Sequence, residues 1–506
     1  MSIITKAKDI EVQRRLSVQE THGRRKFIIE LVAPATDGRN PFTIHIPSEC
    51  ASAVSLLVTK VEKHRIVVTP PGPKARELLA KDTNILSHSV VRWYPLVVES
   101  GSGCFVRDID GNEYVDFNSG LVVLNVGHSH PRVVKAIKDQ AEKLIHYSWT
   151  DFYYKPIIDV GEQLTKITPG SFSKKVFFSN SGAEANEAAM KMARWHTRKP
   201  LFLAYTSSFH GRTFGTMALT ASKPVQRRHF FPLVPDVTHV PYPYCYRCPF
   251  GLEYPKCSMW CVDFIDEEVL KKFHPPEDTA AMFIEPILGE GGYVVPPDDY
   301  FQRLKKILDK YHILMVDDEI QAGMGRTGKW FGIEHWTGVV PDIVTSAKAL
   351  AAGMPIGATI ARDELMDWEG GSHANTFGGN PVACAAALQV IDIIREEKLL
   401  ENATRQGTYL MKRLREMQQE YPMIGDVRGK GLMIGVELVK DRETKEPAAQ
   451  ESIDVMNKCF KRGLAIITSS RSTMRFAPPL IITQEIIDEG LEIFESAVKE
   501  VAAQLK

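Results

Sequence analysis

The sequence predicts an α/β protein: a large domain built on a mainly parallel sheet, followed by a smaller α+β domain. Three observations carry that expectation. Short apolar runs recur between residues 175 and 346, and amphipathic helical patterns lie between several of them. From about residue 386 the pattern changes to a long helix, short strands and a closing helix. Strands alternating with helices are the mark of βαβ units and a parallel sheet. A chain of 506 residues has room for this, being about three average domains or two large ones.

Residues 1–68 read as an extension. KFIIELVA (26–33) and FTIHIP (42–47) predict two strands around a turn at Asp37-Gly38, and SAVSLLVTKVEKHR (52–65) predicts a short helix. Nothing there carries chemistry, so a flap at a dimer edge or an inert extension is expected. TPPGPKARELL (69–79) is a proline-rich hinge running into a helix and marks the boundary. An arm segment is expected over 69–130, the large domain over 131–385 and the small domain over 386–506. PRVVKAIKDQAEKLIHY places Val133, Val134, Ile137, Ala141, Leu144 and Ile145 on one helical stripe.

The apolar runs KVFF (175–178), LFLAY (201–205), AAMFIE (280–285), HILMVDDE (312–319) and DIVTS (342–346) predict strands. AEANEAAMKMARWHT and DYFQRLKKILDKYH predict helices between them. In the C-terminal part, residues 383–418 read as one long helix, LMIGVELV, LAIIT and MRFAPPL as strands, and a last helix starts at 484.

Composition excludes several function classes. Lys plus Arg and Asp plus Glu are 62 each, so no basic footprint for nucleic acid or an anionic membrane is present. No apolar run approaches the roughly 20 residues of a membrane helix, and the N-terminus lacks the apolar core of a signal peptide. Eight cysteines in 506 residues read as mostly reduced thiols of a cytoplasmic protein.

What stands at the strand ends matters most, because ligands of open α/β sheets sit outside the carboxyl ends of the strands. There the chain delivers a Ser181-Gly182-Ala183 loop opening a helix, the pair Phe209-His210, Glu285, Asp318 and Lys348. A helix N-terminus reached through small residues suits an anion, although Ser181 or Asn180 also fits an ordinary cap. Of Asp317, Asp318 and Glu319, strand alternation allows only one to face the pocket; a strand-end cap and a solvated side chain account for others. GMGRTG (323–328) matches a dinucleotide fingerprint by letter, but DDEIQ separates it from the strand and excludes that reading. Lys348 alone reads as a solvated side chain. With an anion loop, an aromatic and a strand-end acid, it fits a Schiff-base lysine for an aldehyde cofactor bearing a phosphate and a ring nitrogen. Cys245, Cys248, Cys257 and Cys261 stand as C-x2-C-x8-C-x3-C, which fits either a structural zinc site or a packed excursion loop.

FSNSGAEANEAAMKMAR, SFHGRTFGTMALT, IEPILGEGG, MVDDEIQAGMGRTG, DIVTSAKALAAGMPIGA and NTFGGNPVACAAAL together resemble the class III aminotransferases. These are fold type I pyridoxal-phosphate enzymes that include 4-aminobutyrate and ornithine aminotransferases. The similarity runs over about residues 70–506. It implies pyridoxal 5'-phosphate as cofactor, Lys348 as the lysine that holds it and shuttles the proton, and Asp318 as the acid on the pyridine nitrogen. It further implies Gln321 near the ring hydroxyl and Phe209 stacked on the ring where relatives often carry Tyr, with His210 and Glu285 close by. Ser181, Gly182 and Ala183 match the phosphate loop; Ala183 replaces a hydroxyl residue common in relatives.

Thr376 matches a threonine that reaches the phosphate of the neighbouring subunit, implying a homodimer or a tetramer of dimers. For substrate, Arg212 matches a carboxylate-binding arginine. Arg475 matches the arginine that receives the α-carboxylate of 2-oxoglutarate, and Glu290 the acid that pairs with it when an ω-amino substrate is bound. Leu121 stands where ornithine aminotransferases carry Tyr and so resembles the 4-aminobutyrate enzymes. The resemblance therefore implies transfer from an ω-amino donor to a 2-oxo acid acceptor by a ping-pong mechanism. An amino-acid racemase or epimerase on the same apparatus, ornithine aminotransferase, and a binding protein with a vestigial site are the alternatives.

Overall fold

The computed structural model describes the backbone of four strands within residues 2–45, and residues 65–504 apart from Pro235. The chain divides into two units, Met1–Arg65 and Ile66–Lys506. In the first, Ser2–Ala7, Ile10–Thr21, Arg24–Val32 and Thr43–His45 form an antiparallel meander. The two strands expected from sequence are there, and two more precede them. The turn at Asp37-Gly38 and the helix expected over 52–65 lie outside the described residues.

In the second unit the central sheet has seven strands: β1 (Lys174–Ser179), β2 (Leu201–Tyr205), β3 (Val237–Val240), β4 (Thr279–Ile284), β5 (Leu314–Asp318), β6 (Ile343–Ser346) and β7 (Gly357–Arg362). Their order is β3-β2-β4-β5-β6-β7-β1. The run from β3 to β6 is parallel, and β7 is antiparallel to both β6 and β1. β4 is buried at all six positions and β6 at all four. Burial on both faces is why these strands read as continuous apolar runs rather than alternating ones. The runs of β3 and β7 are short or interrupted by polar residues (VTHV, GATIAR), and neither was expected.

The first helix after the sheet begins, α1 (Gly182–Thr197), is capped by the Ser181 side chain, which accepts from the Glu184 N–H at 3.2 Å. Its buried face is almost all alanine and methionine, which lets it lie close against the sheet. The helix Pro131–Lys143 stops earlier than its stripe predicts: Leu144 is extended, and Leu144 and Ile145 are exposed. The long helix expected over 383–418 is two, α2 (Pro381–Glu396) and α3 (Leu399–Glu420). Lys398 between them adopts φ +53°, a break made without Gly or Pro that sequence pattern does not reveal. α2 spans the 385/386 boundary expected between the domains.

The C-terminal sheet is Ile424–Lys430, Met433–Leu438, Thr473–Phe476 and Ile467–Ser469, all antiparallel. LAIIT is not one strand. Leu464–Ala465 pairs with Glu113–Asp116 in a separate small sheet, while Ile467–Ser469 turns to Thr473–Phe476. The closing helix, α4, spans Gln484–Ala502. No helix among the described residues is long and apolar enough to cross a membrane.

Candidate active site

The carboxyl ends of the parallel strands open onto a cavity of about 380 Å³ that continues to solvent. Ser181, Gly182, Ala183, Phe209, His210, Arg212, Glu285, Asp318, Gln321 and Lys348 all line it. They come from five separate strand ends, brought together because adjacent parallel strands finish at the same edge of the sheet.

Asp318 ends β5 on the cavity floor, and its carboxylate is tied down on both oxygens. Oδ2 accepts from Asn186 Nδ2 at 2.7 Å and lies 2.8 Å from His210 Nδ1, while Oδ1 accepts from the Ile320 N–H at 3.1 Å. Asn186 is itself locked: its Nδ2 also donates to the His210 carbonyl at 2.8 Å, and its Oδ1 accepts from Thr345 Oγ1 at 2.8 Å. Sequence reasoning missed Asn186. The signal was a single Asn on the alanine-rich inner face of α1, four residues past Gly182, where only a partnered amide is tolerated.

Asp317 and Glu319 overturn the expectation of a solvated acid, since both are buried. They lie on the side of β5 away from Asp318, as strand alternation requires. Burial pushes Asp317 far above the usual carboxylate range and Glu319 up to about 7. Glu319 Oε1 also accepts from the Ile333 N–H at 2.7 Å. Glu285, beyond the end of β4, accepts from the Phe209 N–H at 2.9 Å and the Gly289 N–H at 2.8 Å. Burial outweighs these bonds and raises its pKa to about 7.

Lys348 follows β6. Burial lowers its amine pKa, while Asp318 and Glu285 oppose that shift, Arg475 adds to it, and Glu290 opposes it. All four charges therefore converge on one amine. Gly211 has φ +147°, and a Cβ there would stand 2.4 Å from Thr216 Oγ1 and 2.8 Å from Ala183 Cβ. Only glycine lets the Phe209–Arg212 segment pass so close to the phosphate-type loop.

Glu290 and Arg475 do not line the cavity themselves; they form an ion pair at 3.3 Å, and both charges reach Lys348. The other Glu290 oxygen holds Lys223 Nζ at 2.5 Å, and that ammonium lies 5.6 Å from the Trp93 ring centroid. Lys223 had no sequence signal, because a lone lysine in a loop reads as solvated. Leu121 is exposed in a neighbouring recess with Trp93 and Asn118. It sits in a left-handed turn, Ser119–Val122, with φ between 50° and 68°. Asp116 Oδ1 anchors the start of that turn, accepting the N–H groups of Asn118 and Ser119 at 2.7 and 3.0 Å. Thr376 is exposed and lies outside the cavity of its own chain.

The profile of the family described as Aminotransferase class-III matches residues 86–498. The chain belongs to that family. Among similar proteins, this class III aminotransferase is 46% identical to the leucine/methionine racemase of Thermococcus litoralis over 82% of the chain and 93% of that protein. It is 40% identical to the alanine/serine racemase of Pyrococcus horikoshii, covering 88% and 95%. Identity is 39% with a probable 4-aminobutyrate aminotransferase of Bacillus subtilis, covering 79% and 92%. The crystal structure of the omega transaminase from Pseudomonas jessenii in complex with PMP superposes with a TM-score of 0.79 at 30% identity, covering 84% and 98%.

Class III aminotransferases depend on pyridoxal phosphate, and the residues present fit it. The N–H groups of Gly182 and Ala183 belong to the first turn of α1, where no intrahelical acceptor exists. Phe209 supplies an aromatic wall, and Gln321 Oε1 is buried at the cavity without a partner. Asp318, already held by three donors, offers the floor acid.

Proposed function

We infer that the enzyme moves the amino group of an ω-amino acid of the 4-aminobutyrate type to 2-oxoglutarate. The observation that carries the reading is Glu290, whose two oxygens bridge Arg475 and Lys223. While Glu290 occupies Arg475, the pocket accepts an amine with no α-carboxylate. When Glu290 turns away, the guanidinium is free to take the α-carboxylate of 2-oxoglutarate bidentately. Arg212 binds the far carboxylate of either substrate, and Leu121 leaves an apolar wall beside the chain of the donor.

Pyridoxal phosphate, bound in the cavity, supplies the aldehyde that carries the amino group and the ring that draws off the electron pair of the broken C–H bond. Gly182 and Ala183 hold its phosphate through backbone N–H groups, with Ser181 capping the helix beneath. Asp318 would serve the ring nitrogen, Gln321 the ring hydroxyl and Phe209 the ring face, while His210 keeps Asp318 in place. Lys348 holds the cofactor and moves the proton at the amine-bearing carbon. Its lowered pKa favours the neutral amine that this role needs. Thr376, exposed on its own chain, would complete the phosphate site of a second copy in a cytoplasmic homodimer.

A second reading, racemisation of α-amino acids, is favoured by the 46% identity to a leucine/methionine racemase. It requires a second proton-handling group across the ring from Lys348. Glu290 is the acid on the substrate side, and both its oxygens are already engaged by cations. One experiment separates the readings. The enzyme is mixed with 4-aminobutyrate, L-ornithine or L-leucine without any oxo acid. Stoichiometric loss of the cofactor's absorbance band with an ω-amine supports transfer. A persistent band, with L-leucine taking up deuterium from D₂O and losing chirality, establishes racemisation instead.

A further inference from the structure

The loop between β3 and the helix Trp260–Phe264 does not line the cofactor cavity, yet together with the first turn of that helix it holds four of the eight cysteines of the chain. No side chain from Tyr244 to Ser258 is fully buried, and Leu252 and Tyr254 are exposed. Its anchors are Tyr244 and Arg247 on Glu437 and Phe250 against Phe264, and a metal clip would stiffen the exposed stretch between them.

Cys245, Cys248, Cys257 and Cys261 all line one small apolar cavity inside this loop, walled by Pro243, Phe250 and Trp260. None of them forms a disulfide. Cys245 is within electrostatic reach of Cys248 and Cys257, and Cys261 is within reach of all three. Among the described residues no three His, Cys, Asp or Glu side chains are gathered to metal-binding separations. The four thiols therefore surround the cavity without closing on it.

We propose that these four cysteines bind one structural Zn²⁺ per chain, which draws them onto the cavity as thiolates. Four sulfur ligands arranged as two close pairs match the closed tetrahedral coordination of structural zinc and leave no open position for catalysis. Each thiol gives up its proton to solvent on ligation, so binding involves no redox change. The clip would hold Tyr244 and Arg247 against Glu437, to which both donate. Glu437 also pairs with Arg428 at 2.8 Å, and Arg428 Nη2 donates to the Gly292 carbonyl at 2.7 Å, two residues from Glu290. The metal thus steadies the wall behind the substrate-side ion pairs. The site stands whichever reaction the enzyme performs.

The test is metal analysis of the full-length protein, expressed with zinc in the medium and dialysed against metal-free buffer. About one zinc per chain is expected, with Cys257→Ser and Cys261→Ser each losing most of it. Substitution by Co²⁺ should give the intense visible bands of a tetrahedral thiolate site. Zinc below about a tenth per chain overturns the proposal. So does stoichiometric iron in its place, a disulfide among these cysteines by mass spectrometry, or zinc retained in both serine variants. The wild-type metal content decides the matter even if a variant fails to fold.

Discussion

Asn186→Ala should loosen the floor of the active site without touching substrate. The amide makes three hydrogen bonds in a fully buried position, to Asp318, to the His210 carbonyl and from Thr345. Truncation leaves the carbonyl and the Thr345 hydroxyl unsatisfied, each at about 1–3 kcal/mol, and removes one charge-assisted bond to Asp318. Asp318 keeps His210 and the Ile320 N–H, so its own loss adds little and the two orphaned groups set the total at about 4 kcal/mol. Unfolding entropy of roughly 2.1 cal/mol/K per residue over about 440 residues makes each kcal/mol about 1 °C, so the melting midpoint of the cofactor-free protein should drop by about 4 °C. Cofactor affinity, measured by absorbance titration, should fall about tenfold, the equivalent of about 1.4 kcal/mol. Asn186→Asp keeps the shape but sets a second carboxylate against Asp318, and it should destabilise more than the alanine. A midpoint within about 1 °C of wild type for Asn186→Ala, or an aspartate variant as stable as the parent, would refute the clamp.

Arg475→Ala should slow the half-reaction with 2-oxoglutarate about 100-fold, or about 2.7 kcal/mol, while the half-reaction with an ω-amine changes far less; equal losses in stopped-flow traces would contradict the switch. Glu319 has a folded pKa raised by burial from 4.5 to about 7, so the folded state keeps a proton that the unfolded chain loses. Stability is therefore highest below about pH 4.5 for this group, which shares its buried site with Asp317, and falls as pH rises through about 7. Glu319→Gln should flatten the decline of melting midpoint between pH 5 and pH 8, and an unchanged slope would show that burial there costs little. Residues 1–65 form a separate unit, so a chain beginning at Ile66 is expected to bind pyridoxal phosphate with unchanged affinity; a folded deletion that cannot bind it would give the extension a role in the site.

The sequence alone determined the chemistry-bearing ends of five strands. Strands buried on both faces must be continuous apolar runs, and the residue that follows each run is placed at the sheet edge by geometry alone. That is why Asp318 and Lys348 were legible, and why six motifs in register sufficed for the family. Local pattern failed where the deciding contact is distant in sequence. Lys398 breaks a helix with no Gly or Pro, and LAIIT divides between two sheets because its partners, residues 115–116 and 473–475, lie on different surfaces. Only tertiary structure showed that Asp317 and Glu319 are both buried, since a charged residue after a strand reads as solvated until the other side of the sheet is seen to be covered. Asn186 locking Asp318 and Lys223 sharing Glu290 with Arg475 belong to the same class. Each joins positions tens of residues or more apart, and hydrogen bonds and ion pairs at that range leave no periodicity in a chain from which to read them.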